Sequence, residues 1–188
     1  MMKYILVLFL MFSSVYADRD GGPYIGLGYG LANFDDGGKL EAENNTLLDN
    51  RVKASSLTLG AYMNKYFSVE FNYTDMTAWD THKGYELEDK NSLKLFVVDV
   101  STLAHYAFFD DLWDVYGKFG VGEVHQGNKE IKGFTFVYGV GTSVRLNEWL
   151  SLKLGFDRFS FGYDSNEDKS SNYKMKIDYL YTAIEFQF

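Results

Sequence analysis

The sequence predicts an all-β protein, an eight-stranded antiparallel up-and-down transmembrane β-barrel. Three observations predict it. Apolar and polar residues alternate with period two along most of the chain, which suits strands and scatters round a helix. Eight stretches of this kind recur, and an even number puts both ends of a barrel on one side. The connections between them alternate short and long, which places every short turn at one end and every long loop at the other.

Composition narrows the class further. The 188 residues are 46% hydrophobic and 18% aromatic, with Gly 18, Pro 1 and Cys 0. These counts exclude a disulfide scaffold, a cysteine zinc site, a thiol enzyme and a disordered chain. The formal net charge of -8 argues against nucleic acid as a partner. A mean hydropathy of -0.22 excludes a multi-helix membrane protein but not a barrel, whose strands turn only half their residues to lipid.

Residues 1–17 read as a secretory signal peptide. Lys3 supplies the positive start, Tyr4 to Phe12 is an apolar run too short to span ~30 Å of hydrocarbon, and cleavage is expected after Ala17. Asp18 follows, so lipoprotein-type lipidation is not indicated. Residues 18–188 then form one barrel domain.

The strands follow in order. Phe67 to Thr74 is the clearest, with Phe67, Val69, Phe71 and Tyr73 on one face and Ser68, Glu70, Asn72 and Thr74 on the other. In Pro23 to Asn33, Ile25, Leu27, Tyr29 and Leu31 oppose a row of glycines, and in Ser55 to Tyr62, Leu57 and Leu59 oppose Ser56, Thr58 and Gly60. Phe96 to Tyr106 sets Phe96, Val98 and Val100 against Asp99, Ser101 and His105. Val115 to Val124 is the weakest pattern, with only Phe119 and Val121 against Lys118, Gly120 and Gly122. Phe134 to Arg145 and Leu150 to Asp157 alternate strongly, with Arg145, Lys153 and Asp157 on their polar faces. The last strand sets Leu180, Ile184, Phe186 and Phe188 against Tyr181, Glu185 and Gln187. Short turns are expected at Asn64 to Tyr66, Phe108 to Trp113 and Asn147 to Trp149, and longer polar connections at Asp35 to Asn50, Asp75 to Asn91, His125 to Gly133 and Ser160 to Met175.

Alternation does not say which face is inside. The polar face combines glycines with charges of both signs, which suits the packed lumen of a small barrel. Its seven ionisable residues, Glu70, Asp99, Lys118, Arg145, Lys153, Asp157 and Glu185, are expected to pair across the lumen, because an unpaired buried charge is costly. That network serves stability and register, with gating as the alternative. The apolar face suits lipid. Aromatics near strand ends (Tyr62, Tyr66, Trp79, Tyr106, Phe108, Phe109, Trp113, Trp149) suggest interfacial girdles.

The residues that now matter are the signal peptide, Tyr24-Ile25-Gly26-Leu27-Gly28, Tyr116-Gly117-Lys118-Phe119-Gly120-Val121-Gly122, Tyr138-Gly139-Val140-Gly141 and the terminal Phe188. In these the chain resembles bacterial outer-membrane β-barrel proteins of the OmpA-type transmembrane-domain, porin-family class, the small eight-stranded group. The resemblance spans the mature chain and implies a bacterial outer-membrane location, contact with outer-membrane lipid and lipopolysaccharide, and a terminal aromatic, Phe188, read by the barrel-assembly machinery. Longer members carry a peptidoglycan-binding domain after the barrel. None is expected here, nor a cell-wall tether.

No catalytic, cofactor or metal constellation is expected, and the chain is not expected to be an enzyme. The lipid A deacylase pattern His-x-Ser is missing after His82, His105 and His125, and His105 reads as a packed lumenal residue because a general base needs a partner. Asp164, Asn166 and Asp168 begin a calcium-loop pattern that fails at Lys169 and Met175. The expected role is a monomeric structural or adhesin-like barrel whose exposed loops meet an unidentified surface ligand. The alternative is a narrow porin or ion channel.

Overall fold

A computed structural model describes residues 21–35, 51–76, 95–109, 111–126, 132–164 and 172–188. The signal-peptide reading and most of the four long connections lie outside these residues. Among the described residues eight strands form a closed antiparallel barrel: β1 (Gly22–Asp35), β2 (Arg51–Asn64), β3 (Phe67–Met76), β4 (Leu95–Phe108), β5 (Trp113–Gln126), β6 (Lys132–Asn147), β7 (Leu150–Asp164) and β8 (Asn172–Gln187). Each strand pairs with the next, and β8 returns to β1 from Tyr24↔Gln187 to Asp35↔Lys176. Closure satisfies every strand edge inside the sheet, which lipid demands because no water is present there to bond an open edge.

The short turns fall where the spacing places them. Asn64 Oδ1 accepts from the backbone N of Tyr66 (2.8 Å) and Phe67 (3.0 Å), and Asn147 Oδ1 accepts from Trp149 N (3.0 Å). Each asparagine thus replaces a backbone acceptor at the reversal, and the register shifts at the same places, Tyr62/Asn64 and Arg145/Asn147. The third turn is wider, and Phe109 and Asp111 take left-handed backbone there (φ 53° and 64°).

The faces follow the alternation. Leu27, Phe71, Val100, Phe119, Val140, Leu154 and Ile184 point outward, while Glu70, Asp99, Lys118, Lys153, Asp157 and Glu185 are buried inside. β5 is a full strand despite its weak pattern. Its outward face carries Gly117, whose Cβ position meets nothing within 4 Å, and this dilutes the apolar signal without disturbing pairing. Six of the eight expected girdle residues face outward near the turns, with Tyr106 against Phe108 at 4.7 Å and Trp149 stacked on Phe186 at 6.0 Å. Tyr62 departs from the expectation. It faces inward and packs on Tyr24 (4.8 Å) and His105 (5.3 Å), because its parity is that of Thr58 and Gly60. Trp79 lies outside the described residues.

The strands are longer than the alternation shows. β7 runs to Asp164 and β8 starts at Asn172, paired to the end, so much of the expected Ser160 to Met175 connection is sheet. The pattern hid this because the faces exchange character there, with Phe159, Phe161 and Ile177 turned inward.

Candidate functional site

The interior is built in layers. At mid-height Glu70 takes Lys153 Nζ on Oε1 at 2.7 Å and Lys118 Nζ on Oε2 at 3.5 Å. Lys118 also holds Asp157 (2.8 Å), and Lys153 also holds Glu185 (3.0 Å). Five of the seven expected residues therefore form one network. Asp99 sits beside it, accepting from Asn72 Nδ2 (3.0 Å) and Ser101 Oγ (2.5 Å). Arg145 stands apart near the turns, where its Nη2 donates to Gln187 Oε1 at 3.0 Å.

The glycines make these cross-lumen bonds possible in a regular way. Lys118, Gly139 and Asp157 lie in one register row across β5, β6 and β7. The lysine reaches its carboxylate over the bare backbone of Gly139, and a Cβ there would strike Asp157 Oδ1. Tyr24, Gly60 and Glu70 repeat the arrangement across β1, β2 and β3, and the Tyr24 hydroxyl donates to Glu70 at 2.9 Å over Gly60. The hydroxyls of Tyr116 and Tyr181 meet at 3.4 Å across both Gly141 and Gly155. Tyr116 also lies under Lys153, 4.6 Å from ammonium to ring centre.

Towards the long connections the lumen becomes apolar. Met76, Val97, Val137, Phe159 and Ile177 are each at most 1% exposed and belong to a single cluster with Val52, Val124 and Phe161. Outside, at the same end, the apolar surface stops at Asn33, Lys53, Asp75, Glu123, Arg158 and Asp178. Arg158 forks onto Asp178 there through Nε and Nη2, the latter at 2.7 Å. Polarity is thus inverted along the barrel axis. Within the lipid belt the strands are apolar outside and polar inside; beyond it they are polar outside and apolar inside, as water on the outer surface requires. Crossing the bilayer takes ~9–11 residues per tilted strand, and β7 and β8 have 15 and 16. The excess stands above the belt with a hydrophobic core of its own.

Nearer the turns lies a cluster that the spacing did not reveal. His105 Nδ1 is 2.8 Å from Asp114 Oδ2, and its Nε2 is 2.8 Å from Ser68 Oγ. His105 is packed in the lumen as expected, but it has the partners it was expected to lack. They come from β3 and β5, and no sequence spacing signals neighbours brought together by a barrel register.

Phe188 ends the β8 edge. Its backbone N donates to Pro23 O at 3.0 Å, and its ring remains 45% exposed on the outer surface.

The family model for the outer membrane protein β-barrel domain matches residues 4–182. No curated protein sequence matches. Among solved structures, Neisserial surface protein A is similar at a TM-score of 0.57 and 14% identity, covering 89% of this chain and 97% of that one. The attachment invasion locus protein Ail of Yersinia pestis, solved with the heparin analogue sucrose octasulfate, is similar at 0.53 and 13%, covering 90% and 99%. At such identities the likeness speaks for the fold alone.

Proposed function

The chain belongs to the outer membrane protein β-barrel domain family, and from that premise we propose that it is a non-conducting anchor of the bacterial outer membrane that presents its long connections to a partner at the cell surface. The observation that carries this reading is the doubly filled lumen. An ion passing through would have to cross both the Glu70–Lys153–Lys118 layer and the apolar cluster around Phe159. Eight strands enclose only enough room for side chains, and here that room is used at both levels.

With the lumen filled, the connections are left to carry recognition, the usual division between a rigid scaffold and its loops. Segments 36–50, 77–94, 127–131 and 165–171 hold eleven Asp and Glu against six Lys. This balance favours a cationic partner, in contrast to the polyanionic ligand crystallised with Ail. The names of the two similar structures, a surface protein and an attachment invasion locus protein, fit a role at the surface. In this reading residues 1–17 direct export and are removed near Ala17, Phe188 is the assembly signal, the barrel is monomeric in lipid and lipopolysaccharide, and the five-residue network, with Asp99 beside it and Arg145 apart from it, sets stability and register.

The test is conductance of the refolded chain in planar bilayers, with folding checked by heat-dependent gel migration, alongside binding to cationic surfaces. A silent barrel that loses binding when the acidic residues of 77–94 are neutralised supports the proposal. Steady channels from the folded chain would return the function to a narrow porin.

A further inference from the structure

We propose that Ser68 is an activated nucleophile and that the short-turn mouth of the barrel is an acyl-transfer site for small esters. This goes beyond the anchoring role, which assigns the chain no chemistry. Three neighbouring strands contribute one residue each: Ser68 from β3, His105 from β4 and Asp114 from β5. The two hydrogen bonds, each 2.8 Å, run in the order nucleophile, base, orienting carboxylate. A carboxylate on Nδ1 keeps the imidazole proton on that nitrogen. Nε2 is then free to accept from the Ser68 hydroxyl, which is the tautomer a general base needs.

The position also fits. Ser68 and Asp114 are the first inward residues of their strands after the turns, and both are buried there. Tyr62, only partly buried, is the register partner of Ser68 and packs its ring against His105 at 5.3 Å. The Tyr24 hydroxyl, whose proton goes to Glu70 at 2.9 Å, lies 3.3 Å from Ser68 Oγ and borders the cluster on the β1 side. In the reaction Ser68 Oγ attacks the ester carbonyl carbon while its proton passes to His105 Nε2. The tetrahedral oxyanion collapses, the carbon–oxygen bond to the alcohol breaks, and His105 returns the proton to the leaving alkoxide. Water then releases the acyl group by the same route. Because Ser68 is buried, only a short acyl chain presented from the short-turn side would reach it.

The test uses the folded chain in detergent micelles with a small alkyl fluorophosphonate. Attack by Ser68 Oγ on phosphorus expels fluoride and leaves a stable adduct that peptide mass spectrometry locates. The expected result is labelling at Ser68 that disappears in Ser68→Ala, slows by about 100-fold or more in His105→Gln, and quickens in Tyr62→Ala. If His105→Gln does not fold, Asp114→Asn reads the same dependence. An unlabelled Ser68 in both the native chain and Tyr62→Ala overturns the proposal, as does labelling indifferent to His105 and Asp114. A purely structural cluster would change thermal stability in these variants and leave the probe unreacted.

Discussion

Replacing Lys153 with methionine removes one charge from the mid-lumen network and keeps the length of the side chain. Glu185 then loses the ammonium at 3.0 Å, and Glu70 keeps the Tyr24 hydroxyl but has Lys118 as its remaining cation, at 3.5 Å instead of 2.7 Å. Removing one partner of a buried pair costs about 3–5 kcal/mol, because the remaining charge stays desolvated. Lys153→Met should therefore lose ~3–5 kcal/mol of unfolding free energy. Glu185→Gln alone should cost less, since Lys153 retains Glu70. The combination Lys153→Met/Glu185→Gln should be more stable than Lys153→Met, because the stranded carboxylate is gone. Urea unfolding of the three variants in phospholipid vesicles, followed by the fluorescence of Trp113 and Trp149, closes the double-mutant cycle. Both tryptophans lie near the turns on the outer surface and report insertion. A loss below ~1 kcal/mol for Lys153→Met, or a double variant whose cost is the simple sum, refutes the reasoning, since either result means that water already screens the network.

Three further outcomes follow from the same geometry. Gly60→Val should cost ~1–3 kcal/mol from overpacking, because its side chain displaces the Tyr24 ring, and a further ~1.5–3 kcal/mol from the lost bond to Glu70; urea unfolding measures both. Phe159→Ala should destabilise by ~3–5 kcal/mol in the same assay, while the bilayer recording stays silent because the charged layer remains. Asp178→Ala breaks the outer fork with Arg158 yet should cost no more than ~1 kcal/mol, since the pair is partly exposed and water and salt screen it.

The contrast between Phe71 and Phe159 shows what the sequence discloses. Phe71 alternates with Glu70 and Asn72, so the apolar face it shares is legible from the residues themselves, and its aromatic, lipid-suited company gives that face its direction. Phe159 stands in Asp157-Arg158-Phe159-Ser160-Phe161, where the same period continues but the apolar parity has moved inside. Period two gives the two faces and leaves open which solvent each one meets, and that solvent changes from lipid to water part-way up β7. Asn64 and Asn147 were readable as turns because their side chains perform the local bonding. The network was readable as a set of inward charges, but not as pairs. Lys153 and Glu70 are 83 residues apart, and only the strand register brings them to one height. His105 shows the same limit more sharply, since its face could be read and its two partners could not.

Closure of the ring from β1 to β8 has a consequence for how such a chain changes over generations. The ladder from Tyr24↔Gln187 to Asp35↔Lys176 completes the wall from strand residues alone. The segments joining the strands at the far end therefore carry little of the burden of holding it shut. For a flexible loop, doubling the length costs only about 0.6 kcal/mol in closure entropy. A single residue inserted within a strand, by contrast, turns every later side chain to the opposite face. Mutation is thus tolerated very unevenly along this sequence. The wall is held by its register, while the segments at the far end can lengthen, shorten and exchange charge without opening it.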